Sequence, residues 1–162
     1  SPCPWAAAWP ISRASLKLLA MSEITKQYSV DLTRVENSVY RATNAEGASV
    51  EFGRREDLLS PVELLLAAVA GCSAVDVDVV TSRRTEPESF QVRAEGDRIN
   101  EDGASRLSDV RVSFDLTFPS TPDGDKARAL VDNLIRISHE KDCTVSRTVE
   151  NPTRMMFSND SK

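Results

Sequence analysis

The chain has 162 residues, 40% hydrophobic and 28% charged, which fits a single globular domain with a sizeable core. Its 20 basic and 25 acidic residues give a net charge of −5 with no basic cluster. That balance excludes nucleic acid and anionic membrane surfaces as expected partners. Three cysteines, none in a CxxC pair, do not make a disulfide scaffold.

Residues 1–20 differ in composition from the rest of the chain. Both tryptophans and three prolines (Pro2, Pro4, Pro10) lie there, without strand alternation. No basic segment precedes an apolar one, so they do not read as a secretory signal. They are expected to be a non-native or disordered leader, with one domain over residues 21–162. Cys3 goes with the leader and is given no chemical role.

Residues 25–53 predict a three-stranded meander. Two-residue alternation marks strands over 27–34 and 38–43, with a turn at Glu36-Asn37 and a third strand over 49–52. A charged loop, Arg54-Arg-Glu-Asp57, then leads to the stretch that organises the rest. Ser60 suits a helix N-cap, Pro61 the first helical position, and Glu63 completes a capping box. Every residue from Leu64 to Ala70 is apolar, the mark of a helix buried on all sides. The apolar run is too short for a membrane span and is flanked by Glu63, Asp76 and Asp78. At the helix centre sits Gly71-Cys72.

Glu86-Pro-Glu-Ser89 breaks the pattern after Arg84. Strands are predicted over 90–96 and 107–118, around a loop tip at residues 100–104. The second strand puts Val110, Val112, Phe114, Leu116 and Phe118 on one face. An amphipathic helix over 125–141 turns Ala129, Leu130, Leu134, Ile135 and Ile137 inward. Cys143 lies just past it, a short helical turn runs to Val149, and Met155-Met-Phe157 reads as a last strand.

Helices do not alternate one for one with strands, so the fold class is α+β with mostly antiparallel sheet. Six short strands and one amphipathic helix barely cover a helix that is apolar all round. A symmetric homodimer, each sheet closing over the other copy's helices, would complete the cover.

The segments Ser60-Pro-Val-Glu-Leu-Leu-Leu-Ala-Ala-Val-Ala-Gly-Cys72-Ser-Ala and Ser138-His-Glu-Lys-Asp-Cys143-Thr-Val-Ser146 resemble the OsmC/Ohr family of thiol-dependent hydroperoxide reductases. The resemblance extends over roughly residues 28–157. It implies an OsmC-like fold, with two central helices packed on antiparallel sheets in an intertwined dimer. It further implies a cytoplasmic enzyme with active sites at the subunit interface, without metal or bound cofactor. Cys72 matches the cysteine that attacks peroxide, and Cys143 the one that then forms a disulfide with it. The alternative for each is a small buried apolar residue.

Such chemistry needs a thiolate to displace alkoxide from the O–O bond and a second thiol to capture the sulfenic acid. A thiol inside an apolar helix would have a raised pKa, so a cation must hold it as thiolate. In the family that cation is an arginine from the N-terminal strands, held by a glutamate at the start of the central helix. Tyr40-Arg-Ala-Thr-Asn-Ala-Glu-Gly47 resembles the stretch that carries it in the Ohr branch, pointing to Arg41; the OsmC branch points to Arg54 or Arg55. The Ohr branch has its acid directly after the proline, where this chain has Val62. Glu63 follows one residue later, about 100° round the helix, and either serves that role or only caps. His139, four residues before Cys143, would share its helical face; a metal site built on His139, Cys143 and Cys72 lacks ligand spacing.

The functional expectation is therefore an organic hydroperoxide reductase with Cys72 peroxidatic and Cys143 resolving, regenerated by a dithiol. The alternative is a non-enzymatic OsmC-like protein that binds a small apolar ligand at the dimer interface.

Overall fold

A computed structural model of the chain describes residues 23–162. The leader and Cys3 lie outside the described residues. The first three strands are β1 (Asp31–Glu36), β2 (Val39–Thr43) and β3 (Ser49–Gly53), joined as an antiparallel sheet in the order β1-β2-β3. Helix α1 (Pro61–Thr81) follows, then a long hairpin of β4 (Ser89–Glu101) and β5 (Ala104–Thr117). Helix α2 (Pro122–Ile137) runs into a single π turn (Ser138–Asp142), and a short helix α3 (Thr144–Glu150) ends the regular structure. The class is α+β with antiparallel sheets, as the order of patterns predicts.

Local chemistry accounts for most boundaries. Ser60 Oγ accepts from the Glu63 N–H at 3.2 Å while the Glu63 carboxylate accepts from the Ser60 N–H at 3.0 Å, so the capping box forms in full. Thr121 caps α2 in the same way, its hydroxyl accepting from Gly124 N–H at 3.0 Å. Asp102 and Gly103 both adopt positive φ, 52° and 81°. Two consecutive left-handed residues make the tight turn that matches strand twist. The hairpin therefore closes on two residues, and β4 and β5 extend further towards the tip than alternation alone predicts.

Four expectations are corrected. Strand β1 starts at Asp31 rather than residue 27, and residues 23–30 are not paired. Helix α2 begins at Pro122 and gives way to the π turn after Ile137; Ala127 is buried there while Ala129 is exposed. Met155-Met-Phe157 is not a strand: it pairs with nothing among the described residues and all three side chains are exposed. Its apolar composition lacks a neighbouring edge to complete a ladder.

The last correction concerns α1. Only one stripe of it is buried (Val69, Ser73, Val77 and Thr81, at i, i+4 spacing), packed by α2, β4, the π turn and α3. Val62, Leu65, Val75 and Val79 remain exposed. At 21 residues, about 30 Å long, α1 also exceeds its apolar run; length and composition alone would let it cross a membrane, as they would many core helices.

Gly53 is the position where backbone geometry is most demanding. Its φ is +146°, its N–H donates to Leu59 O at 2.9 Å, and an added Cβ would lie 2.2 Å from Ser38 O. Gly47 has φ +92° with open space around it. Gly53→Ala should therefore destabilise by well over ~2 kcal/mol and Gly47→Ala by only ~1 kcal/mol. Urea unfolding of the two variants checks this; equal losses would contradict the close approach at Gly53.

Candidate active site

The site is built where α1 meets the π turn. Within that turn the Cys143 N–H donates to Ser138 O at 2.8 Å, spanning five residues instead of four. The wider turn breaks the i, i+4 register on which His139 and Cys143 would share a face. Cys143 points inward and is fully buried, whereas His139 lies outside, its Nε2 2.6 Å from Glu150 Oε1. The sequence-based placement of His139 beside Cys143 is thus corrected.

Two buried hydroxyls fasten the turn to α1. Ser138 Oγ donates to Asp76 Oδ2 at 2.6 Å and lies 3.3 Å from Ser73 Oγ. Ser138 is 1% exposed and Ser73 8%, so both hydroxyls depend on these partners. The contact sets the Cys143 turn against the middle of α1, where Cys72 sits half-buried. The thiols are free and close enough that each alters the other's titration.

Their surroundings differ. Burial pushes the Cys72 thiol up, and Cys143 and the Asp76 carboxylate push it further, against a hydrogen bond from the Val145 N–H. Burial also pushes Cys143 up, but hydrogen bonds from Ser146, Cys72 and Ser73 outweigh it and leave this thiol below its ordinary range. Ser146 Oγ is 3.0 Å from Cys143 Sγ, and the Ser146 N–H donates to the same sulfur at 3.3 Å. Cys143 thereby serves as the N-cap of α3.

The predicted cation lies elsewhere in the chain. Arg41 faces Glu51 across the β2–β3 pair and bonds to its carboxylate, and Arg55 bridges Glu36 and Asp57. Arg54 carries no ion pair among the described residues; its backbone N–H holds Ser38 O at 2.8 Å. Glu63 is fully engaged in the capping box, and the Ser60 N–H holds its carboxyl below the usual range. The structure brings Cys72 and Cys143 together, and brings neither Arg41 nor Glu63 to them within one chain.

A cavity of about 270 Å³ opens next to the site. Val69, Val110, Val112, Phe114, Ile135 and Val149 form its apolar wall; His139 and Glu150 also line it, as do Ser73 and Ser146, which hydrogen-bond to Cys143, while neither sulfur itself forms part of the lining. The inward face of β5 predicted from alternation supplies three of these residues. Ser73, Asp76, Ser138 and Ser146 were not singled out from sequence. For Ser73 and Asp76 the one available signal was a hydroxyl and an acid at i, i+3 spacing in a largely apolar helix; nothing comparable marked Ser138 or Ser146.

The family of OsmC-like proteins matches residues 54–157 of this sequence, a span that holds α1, the π turn and both thiols. The chain belongs to the OsmC-like family. No curated protein matches it. Among solved structures, a hypothetical protein from Aquifex aeolicus VF5 is similar at 21% identity, with TM-score 0.62, covering 78% of this chain and 89% of that one. An OsmC-like protein of unknown function from Vibrio cholerae is 16% identical, with TM-score 0.58 and coverage of 78% and 95%. An organic hydroperoxide resistance protein from Legionella pneumophila is 15% identical, with TM-score 0.51 and coverage of 78% and 91%. These likenesses establish the OsmC-like fold.

In this OsmC-like chain the histidine gives a test of the site's outer wall. The hydrogen bond to Glu150 and that residue's charge raise His139 above its ordinary value, against burial, which lowers it. A raised folded-state pKa means the pair's stabilisation is complete below about pH 6.5 and is lost as pH rises through the raised value. Both side chains are more than half exposed, so the stabilisation is about 0.5 kcal/mol or less. NMR titration should place the His139 midpoint above about 6.5 and Glu150→Gln should return it there; an ordinary midpoint in the unmodified protein would contradict the pairing.

Proposed function

We propose that this protein is a thiol-dependent peroxidase that reduces organic hydroperoxides, with Cys72 peroxidatic and Cys143 resolving. The observation that carries the reading is the meeting of two free thiols, remote in sequence, with an apolar cavity bordered by Ser73 and Ser146, which hydrogen-bond to Cys143. The Cys72 thiolate attacks the distal oxygen of R–O–OH. The O–O bond breaks, alkoxide leaves and takes a proton as the alcohol, and Cys72 becomes a sulfenic acid. The Cys143 thiolate then attacks the Cys72 sulfur; the S–O bond breaks, hydroxide leaves as water, and a disulfide forms. An external dithiol returns both sulfurs to thiols, as suits a reducing cytoplasmic setting. The cavity wall fits the organic group of the substrate.

The reading requires a second copy of the chain. Exposed Val62, Leu65, Val75 and Val79 on α1 leave an apolar face uncovered, and Cys72 has a raised pKa with no cation named beside it among the described residues of its own chain. A homodimer would cover the face and supply an arginine across the interface. Arg41 would have to leave Glu51, and Arg55 its two acids, whereas Arg54 has no bridge to break. Glu63 would serve as the arginine's anchor while remaining in its capping box.

In this reading Cys143→Ser should carry Cys72 on to sulfinic acid under cumene hydroperoxide, while Cys72→Ser should leave Cys143 unoxidised; mass spectrometry of the cysteine peptides decides. Loss of hydroperoxide turnover in only one of Arg41→Ala, Arg54→Ala and Arg55→Ala would identify the activating cation. Both thiols surviving excess hydroperoxide would instead support the ligand-binding alternative, for which the same cavity is the supporting observation.

The dimer has its own check. It is expected to be obligate and to bury well over about 2,000 Å² in total. Sedimentation should show no folded monomer at micromolar concentration, and a stable folded monomer there would contradict the expectation.

A further inference from the structure

Disulfide closure asks more of Cys143 than nearness. Its sulfur must be an anion to attack the sulfenic acid, and must be a good leaving group when the external dithiol later attacks Cys72. Both demands fall on a thiol that is fully buried, where an anion is disfavoured unless donors face it. Cys72 and Ser73 contribute, and two further donors belong to one residue. The Ser146 hydroxyl lies 3.0 Å from the sulfur and the Ser146 N–H 3.3 Å.

We propose that Ser146 is a positioning residue of the redox cycle: it holds the Cys143 sulfur as the anion that closes, and later leaves, the disulfide. This rests on the peroxidase reading above. The N–H can only donate, so it always favours the anion. The hydroxyl accepts from the neutral thiol and donates to the thiolate by turning its proton, with no movement of heavy atoms. Neither buried hydroxyl beside the turn is as free to do this. Ser138 is committed to Asp76 at 2.6 Å, and Ser73 is shared between Ser138 and the sulfur. Ser146 also lines the cavity, so one residue borders the organic group's space and touches the resolving sulfur.

A hydrogen bond that only shaped α3 would have another signature. If Ser146 stabilises the anion, Ser146→Ala raises the Cys143 midpoint by about one pH unit, a tenfold loss of thiolate at pH below both midpoints. The remaining thiolate is more nucleophilic by a factor of about 3, because nucleophilicity rises with basicity. Closure should therefore slow about threefold at low pH, and above both midpoints it should run up to about threefold faster. A purely structural defect would slow closure at every pH.

Two measurements separate this from the reading beneath it. In full-length protein carrying Cys3→Ser and Cys72→Ser, thiolate absorbance reports Cys143 alone; adding Ser146→Ala should raise its midpoint, and Ser146→Thr should restore it. In protein with Cys72 and Cys143 intact, stopped-flow after cumene hydroperoxide should show the closure rates of the two forms crossing as pH rises. An unchanged midpoint, or slowing independent of pH, would overturn the role of Ser146. A shifted midpoint in a protein that never closes the disulfide would uphold the hold on Cys143 and overturn the peroxidase reading instead.

Discussion

The Ser138 hydroxyl buried against the Asp76 carboxylate, 2.6 Å away, is the contact on which the rest of the site depends. A hydrogen bond to a charged group is worth about 1.5–3 kcal/mol, and leaving either partner buried and unpaired would cost as much again. It joins the last turn before Cys143 to the middle of α1, one helical turn beyond Cys72. With Ser73 Oγ alongside, it sets which face of the π turn meets the helix. The extra residue in that turn then directs Cys143 inward and His139 outward. Remove the bond and only weaker contacts, Ser73 to Ser138 and to Cys143 and the Val145 N–H to Cys72, are left to specify that the two sulfurs face each other.

Electrostatics at the pair are asymmetric for the same reason. Asp76 is needed to anchor Ser138, yet its charge opposes ionisation of Cys72. At Cys143, hydrogen bonds from Ser146, Cys72 and Ser73 outweigh burial. A single chain thus raises the pKa of the Cys72 thiol and lowers that of the Cys143 thiol. In the proposed cycle this difference is corrected by an arginine from a second copy, which would couple activation of Cys72 to assembly. The uncovered apolar face of α1 would supply the matching hydrophobic drive for that proposed assembly.

How much of this could be read from the sequence varies with how local its cause is. The capping box at Ser60 and Glu63, the one-sided alternation of β5 and the Asp-Gly hairpin tip are set by residues within a few positions, and local pattern is enough to find them. The family was legible because two segments around Cys72 and Cys143 matched together. The π turn was not, since no residue type marks where a helix takes one extra residue; the choice follows from Ser138 reaching Asp76 across the fold. Ser146 lies within the matched segment but had no role until its distance to sulfur was known. The expected strand at Met155–Phe157 failed because apolar composition predicts a wish for cover, and says nothing of where an edge will be found. The all-round burial expected of α1 failed within one chain on the same logic.

The central claim is that Cys72 and Cys143 act as one redox unit, and the oxidised form of the unmodified protein tests it most directly. One equivalent of an organic hydroperoxide, followed by intact-mass measurement and mapping under non-reducing conditions, should show loss of two hydrogen atoms and a single Cys72–Cys143 linkage that a dithiol reverses. Oxygen added to either sulfur with no linkage between them, or no change in mass, would contradict it.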